Sequence, residues 1–213
     1  MGFSSGRSLF GSAMGQPEKE DVSMTIDVES SVHAGKAMEL FLSGYNCAQS
    51  VFAAFCDLHG MEEKEALRLS SSFGGGMGRL REVCGALSGI FMTAGIVYGY
   101  DSPGDKDAKT EHYKRIQELA EAFQERTGTL LCRELLGLEG TGKDSYIPSD
   151  RTEAYYQSRP CRELVGLAAA ILDAYLAEHH PTEHYPAEHH PAEHHPAEHH
   201  PAEHHPAEPK PVC

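Results

Sequence analysis

The sequence predicts an all-α fold, a compact bundle of about six to seven helices. Three observations lead there. Apolar residues recur three and four apart through the middle of the chain, serine, asparagine and glycine fall where those runs begin and end, and no segment alternates with the period of two that a strand requires.

The elements follow in order. Ser30 or Ser31 can cap a first helix carrying Ala34, Ala37, Met38, Phe41 and Leu42 on one face, with Gly44 as its stop. Asn46 caps a second, running through Val51, Phe52, Ala54 and Phe55 to Gly60. Glu62 to Phe73 makes a third, acidic at its start as the helix dipole prefers. Gly74 to Gly78 reads as a loop whose backbone N–H groups could face sulfur or an anion. A fourth helix spans Glu82 to Tyr98; it is apolar on most faces and therefore central. Asp107 to Thr127 is a long amphipathic fifth, stopped by Gly128. Leu131 to Leu136 is a short sixth, Gly137 to Tyr156 is loop with one helical turn at its end, and Arg159 to Leu176 is a seventh entered through Pro160.

Composition divides the 213 residues into three parts. Residues 1–28 form a disordered N-terminal segment, residues 29–177 the helical domain, and residues 178–213 a low-complexity tail of histidine, proline and glutamate. The tail repeats Pro-Ala-Glu-His-His, and proline at every fifth place keeps it extended. Its histidines (His179, His180, His184, His189, His190, His194, His195, His199, His200, His204 and His205) suit a divalent nickel, zinc or copper ion.

The formal net charge is -14 and no basic stripe is present, which sets nucleic acid aside as a partner. The most apolar stretch, Ala86 to Tyr98, is too short and too interrupted to span a membrane, and the chain start lacks a secretory pattern. A cytoplasmic location is the expectation, and there six cysteines point to metal or redox chemistry rather than a disulfide framework.

Placement of the cysteines says more than their number. Cys47, Cys84, Cys132 and Cys161 each fall at a helix start, where the dipole and unpaired N–H groups favour a thiolate. Arginines lie close in sequence to three of them, including Arg79 and Arg81 before Cys84. Cys132-Arg133-Glu134-Leu135-Leu136-Gly137 is echoed by Cys161-Arg162-Glu163-Leu164-Val165-Gly166. Cys56, nine residues after Cys47 on the same expected helix, falls on the opposite face and reads as a small core residue. Cys213 closes the tail as an exposed thiol. An iron–sulfur cluster, a pair of redox disulfides and a four-thiolate zinc site are all compatible with this set.

Tyr45-Asn46-Cys47-Ala48-Gln49, the glycine loop, Cys84-Gly85-Ala86-Leu87-Ser88-Gly89 and the later single cysteines resemble the C_GCAxxG_C_C family of redox-active proteins. The resemblance covers about residues 30–177 and implies that Cys47, Cys84, Cys132 and Cys161 are the redox or cluster-binding positions. A related domain accompanies haem and an iron–sulfur centre in split-Soret cytochromes; no CxxCH occurs here, so covalent haem is not expected.

The leading reading is a redox protein, an oxidoreductase or electron-transfer component, whose thiolates carry a cluster or cycle between dithiol and disulfide. In the dithiol form Cys84 is the expected attacking thiolate and Cys47 its resolving partner. A metal-handling protein working through the tail and a structural zinc domain for protein interaction are the alternatives. Neither GxSxG nor HExxH occurs, and His33, His59 and His112 are isolated. A redox partner protein is implied without any motif that names it, and a cluster could bridge the subunits of a homodimer.

Overall fold

A computed structural model describes residues 25–138 and 144–179. The segment before residue 25 and the tail beyond His179 lie outside the described residues. Ile26 and Val28 pack against the core, so packing starts ahead of the expected boundary at residue 29.

The fold is all-helical. Helix α1 (Val32–Leu42) is capped by Ser31, whose Oγ accepts from Ala34 N at 2.9 Å, and it buries Ala34, Ala37 and Phe41. Helix α2 (Cys47–Ala54) stops earlier than its apolar spacing predicts, and α3 (Cys56–His59) follows after a break at Phe55. His59 Nε2, seven residues on, sits 3.1 Å from the Phe52 carbonyl and its ring stacks on Phe52 at 4.5 Å, so a side chain shares the acceptor that the next helical turn would use. Gly60, left-handed at φ 68°, ends α3.

Helix α4 (Glu63–Ser70) tightens into a 3-10 turn at Ser71–Phe73. Helix α5 (Gly85–Tyr98) buries nine of its fourteen residues, in keeping with the central role expected for it. Helix α6 (Lys106–Thr127) is capped by Asp105 and ended by left-handed Gly128. Helices α7 (Cys132–Leu135) and α8 (Glu153–Gln157) are single turns, and α9 (Cys161–Glu178) is the long closing helix. Helix α9 packs on α1, α2, α5 and α6, around a core that includes Phe41, Leu87, Leu119, Phe123, Leu172 and Tyr175.

The fourth helix begins later than the sequence predicts. Residues 82–84 are extended instead, and Val83 pairs with Leu131 in an isolated antiparallel bridge. Cys84 N donates to Leu130 O at 2.8 Å and Cys132 N to Glu82 O at 2.7 Å, bonds that a continuous helix from Glu82 would forgo.

Candidate functional site

Each of the four cysteines sits where a helix starts. Cys47, Cys132 and Cys161 are first residues of α2, α7 and α9, and Cys84 is the N-cap of α5. Four different local devices put them there.

For Cys47 the device is a capping box. Asn46 Oδ1 accepts from Gln49 N at 3.0 Å while Gln49 Oε1 accepts from Asn46 N at 3.1 Å. The same two side chains donate to Ser71 O and Leu67 O, so they also lock the start of α2 onto the end of α4. Cys84 is placed by small residues: a Cβ on Gly85 would lie 3.2 Å from Cys47 Cβ, and one on Gly89 would lie 2.7 Å from Val51 Cβ. These two glycines, one turn apart on one face, let α5 close on α2 and set Cys84 beside Cys47.

Cys132 is placed by the bridge. Cys84 lies opposite Leu130 in that register, and Leu130 and Cys132 share a face, so the two cysteines are diagonal neighbours. Cys161 follows Pro160, whose carbonyl accepts the first bond of α9 from Leu164 N at 2.9 Å.

Left-handed backbone wraps one side of the site. Gly75, Gly76, Met77, Gly78 and Arg79 are consecutive residues of positive φ, and Arg81 adds another at φ 63°. Three of these are not glycine, each costing about 1 kcal/mol or more. At Gly76 the need for glycine is also steric, because a Cβ there would fall 2.7 Å from Cys132 Cβ and 2.8 Å from Glu82 N.

The thiols differ electrically. Cys47 and Cys161 act on one another. That interaction, followed by Arg159, Arg151 and Arg81, holds Cys161 below its ordinary value although burial opposes it. The same interaction, reinforced by burial, pushes Cys47 well up. Burial pushes Cys84 up to about 12, and it pushes Cys132 up against the pull of Arg81, whose Nη1 lies 3.8 Å from Cys132 Sγ. Burial therefore opposes the ready ionisation expected of a helix-start thiol at Cys84 and Cys132. Desolvation is the leading influence at Cys84 and Cys132, and at Cys47 it adds to that of the Cys161 partner.

Sequence proximity misassigned the cations. Arg162, adjacent to Cys161, is exposed and pairs with Glu163, while Arg133 pairs with Glu82. Of the arginines that act on Cys161, Arg159 lies two residues before it, whereas Arg81 comes from the left-handed loop and Arg151 from ahead of α8. Arg151 had no signal in the sequence beyond its charge. The Cys56 thiol, expected in the core, is partly buried in a smaller apolar cluster with Phe52, Ala53 and Ala66.

No three His, Cys, Asp or Glu side chains among the described residues converge on a point that one metal ion could occupy. Of the tail histidines only His179 is described; its ring stacks on Tyr175 at 4.1 Å and its Nδ1 lies 3.1 Å from the Tyr175 carbonyl. His180, His184, His189, His190, His194, His195, His199, His200, His204 and His205 lie outside the described residues, as does Cys213.

Residues 45–175 match the family described as "putative redox-active protein (C_GCAxxG_C_C)". The chain belongs to this family. All four helix-start cysteines fall inside the matched span. No curated protein and no solved structure matches the chain. No helix among the described residues is long and apolar enough to cross a membrane.

Proposed function

We propose that this redox-active protein works as a dithiol–disulfide exchanger in which Cys161 attacks and Cys47 resolves. One observation carries the reading: helices α2 and α9, which begin at Cys47 and Cys161, pack on one another, and the two thiols act on each other in the sense that favours the Cys161 thiolate and leaves the proton on Cys47. A thiolate with an adjacent protonated thiol is the arrangement that exchange chemistry uses.

The step balances as follows. The Cys161 thiolate attacks one sulfur of a substrate disulfide, forming a mixed disulfide and expelling a substrate thiolate, which takes the Cys47 proton. The Cys47 thiolate then attacks Cys161 Sγ, closing the Cys47–Cys161 disulfide and expelling the second substrate thiolate. Two electrons pass from the protein to the substrate. Reverse exchange with a reduced dithiol partner protein resets the pair.

A second reading is favoured by Cys84 and Cys132, which this exchange leaves unused. Together with Cys47 and Cys161 they would hold an iron–sulfur cluster, which would supply one-electron transfer. The donor set fits such a group: four thiols, all at helix N-termini and within electrostatic reach of each other, with Arg81 to balance negative charge. Anaerobic purification separates the readings. Two titratable electrons per chain and a Cys47–Cys161 peptide after oxidation, with Cys47→Ser accumulating the mixed disulfide on Cys161, support exchange. Matched iron and sulfide lost on Cys84→Ser or Cys132→Ser would replace exchange with the cluster. Metal capture by the tail remains a separate proposal, tested by metal content with and without residues 180–213.

A further inference from the structure

The dithiol reading leaves the substrate open, and the arginines around Cys161 narrow it. Arg81 is only 4 % exposed. Its Nη2 pairs with Asp144 and its Nη1 reaches Cys132 Sγ, while its Nε is buried with no partner among the described residues. Arg151 repeats the pattern. Its Nη2 donates to the Tyr45 carbonyl at 3.2 Å, its guanidinium lies 4.9 Å from the Phe41 ring centroid and 4.7 Å from that of Tyr155, and its Nη1 is buried without a partner. Among the described residues only His112 Nδ1 shares this condition. Buried donors are rarely left unbonded, least of all charged ones. Two of them, on guanidinium groups that both act on Cys161, therefore point to a group that the free protein does not supply.

Charge says what that group is. Arg159 stacks on Tyr155 at 4.7 Å, making a third guanidinium beside Cys161. Against these three cations stand the Cys161 thiolate and Asp144, the latter shared between Arg79 and Arg81. The excess is positive. A guanidinium presents its N–H bonds as a rigid planar fork, which suits the planar, paired oxygens of a carboxylate.

We propose that Arg81, Arg151 and Arg159 form a carboxylate subsite beside Cys161, so that the pair exchanges with small acidic thiols and disulfides in preference to neutral or basic ones. The subsite rests on the dithiol reading for its role but not for its existence. The carboxylate of the incoming disulfide docks on the orphaned Arg81 and Arg151 donors, with one of its sulfurs facing the Cys161 thiolate.

The test uses the full chain and three dialkyl disulfides of matched size: dithiodiglycolate, cystamine and bis-hydroxyethyl disulfide. Rates of Cys47–Cys161 bond formation are read by acid quench, alkylation and mass spectrometry. The ratio of the anionic to the cationic rate is the readout, because changes in thiolate fraction affect both probes and cancel. That ratio is expected to be at least about tenfold, to fall towards one in Arg151→Gln and Arg159→Gln, and to persist in Arg162→Gln. A ratio near one in the unaltered chain, or one that survives both substitutions, overturns the subsite. Calorimetric binding of thiodiglycolate, an unreactive thioether, gives a second measure: saturable binding weakened about tenfold in Arg151→Gln is expected, and no binding refutes the proposal. Failure of every disulfide to oxidise the pair would remove the dithiol reading, and the thioether would still decide the subsite.

Discussion

Helix α9 carries two polar clusters, and they are built on opposite principles. Near its C-terminal end Asp173 meets α1: its Oδ1 lies 2.6 Å from His33 Nδ1 and its Oδ2 accepts from Ser31 Oγ at 2.5 Å. His33 Nε2 reaches Asp57 of α3 at 3.1 Å, and the ring stacks on Phe55 at 4.1 Å. Every named group there has a partner. Twelve residues earlier, roughly 18 Å along the axis, Cys161 opens the helix among guanidinium donors that lack acceptors. The first cluster joins α1, α3 and α9 and is complete within the chain. The second is incomplete among the described residues, where Arg81 Nε and Arg151 Nη1 have no acceptor.

Substitutions sharpen that contrast. The largest effect belongs to Cys161→Ser, which is expected to abolish disulfide formation with small oxidants, a loss of at least about a hundredfold; His33→Gln should leave that rate within about twofold. Equal losses in both variants would erase the division between the two clusters.

Gly76→Ala comes next. Its methyl group would meet Cys132 and the Glu82 backbone at a left-handed position, so a cost of about 2–4 kcal/mol is expected in chemical denaturation. A change below about 0.5 kcal/mol would show that the loop does not pack against Cys132 as described. Asn46→Ala removes the capping box ahead of Cys47 and should cost about 1–2 kcal/mol by the same measurement.

The smallest effect depends on pH. Burial disfavours a charged His33, but Asp173 and Asp57 together outweigh it and raise its pKa above the ordinary value. A raised folded pKa contributes stability that is fully present below the unfolded value, about 6.5, and is lost as pH rises through the folded one. His33→Gln is therefore expected to cost about 1–2 kcal/mol near pH 6 and clearly less near pH 8. The opposite trend would mean that neutral imidazole is the form that holds the helices together.

Local signals in the chain were read well where the controlling contact is itself local. Asn46 with Gln49, the stop at Gly128 and the helix start at Cys161 all rest on neighbours within a few residues. Reading failed where a distant group intervened. His59 ended α2 early by sharing the Phe52 carbonyl, and Leu130 drew Cys84 out of the helix expected from Glu82.

The paired motifs show the same division. Gly137 takes φ 62° and ends α7, whereas Gly166, its counterpart in the echo, sits inside α9 where a Cβ would fall 2.9 Å from Met38 Sδ. One glycine is a stop and the other a close contact with α1, and local residues that differ only at Leu136 and Val165 could not distinguish them.

The sequence by itself determined an all-helical chain, four cysteines at helix starts and membership of a redox-active family, because caps, periodicity and motif spacing are short-range properties. Only the tertiary structure decided what surrounds each thiol. Burial and charge are sums over everything packed around a group, and Cys47, Arg81 and Arg151 reach Cys161 from distant positions to join Arg159, two residues before it. Arg162, next to it in the chain, turns away to the surface.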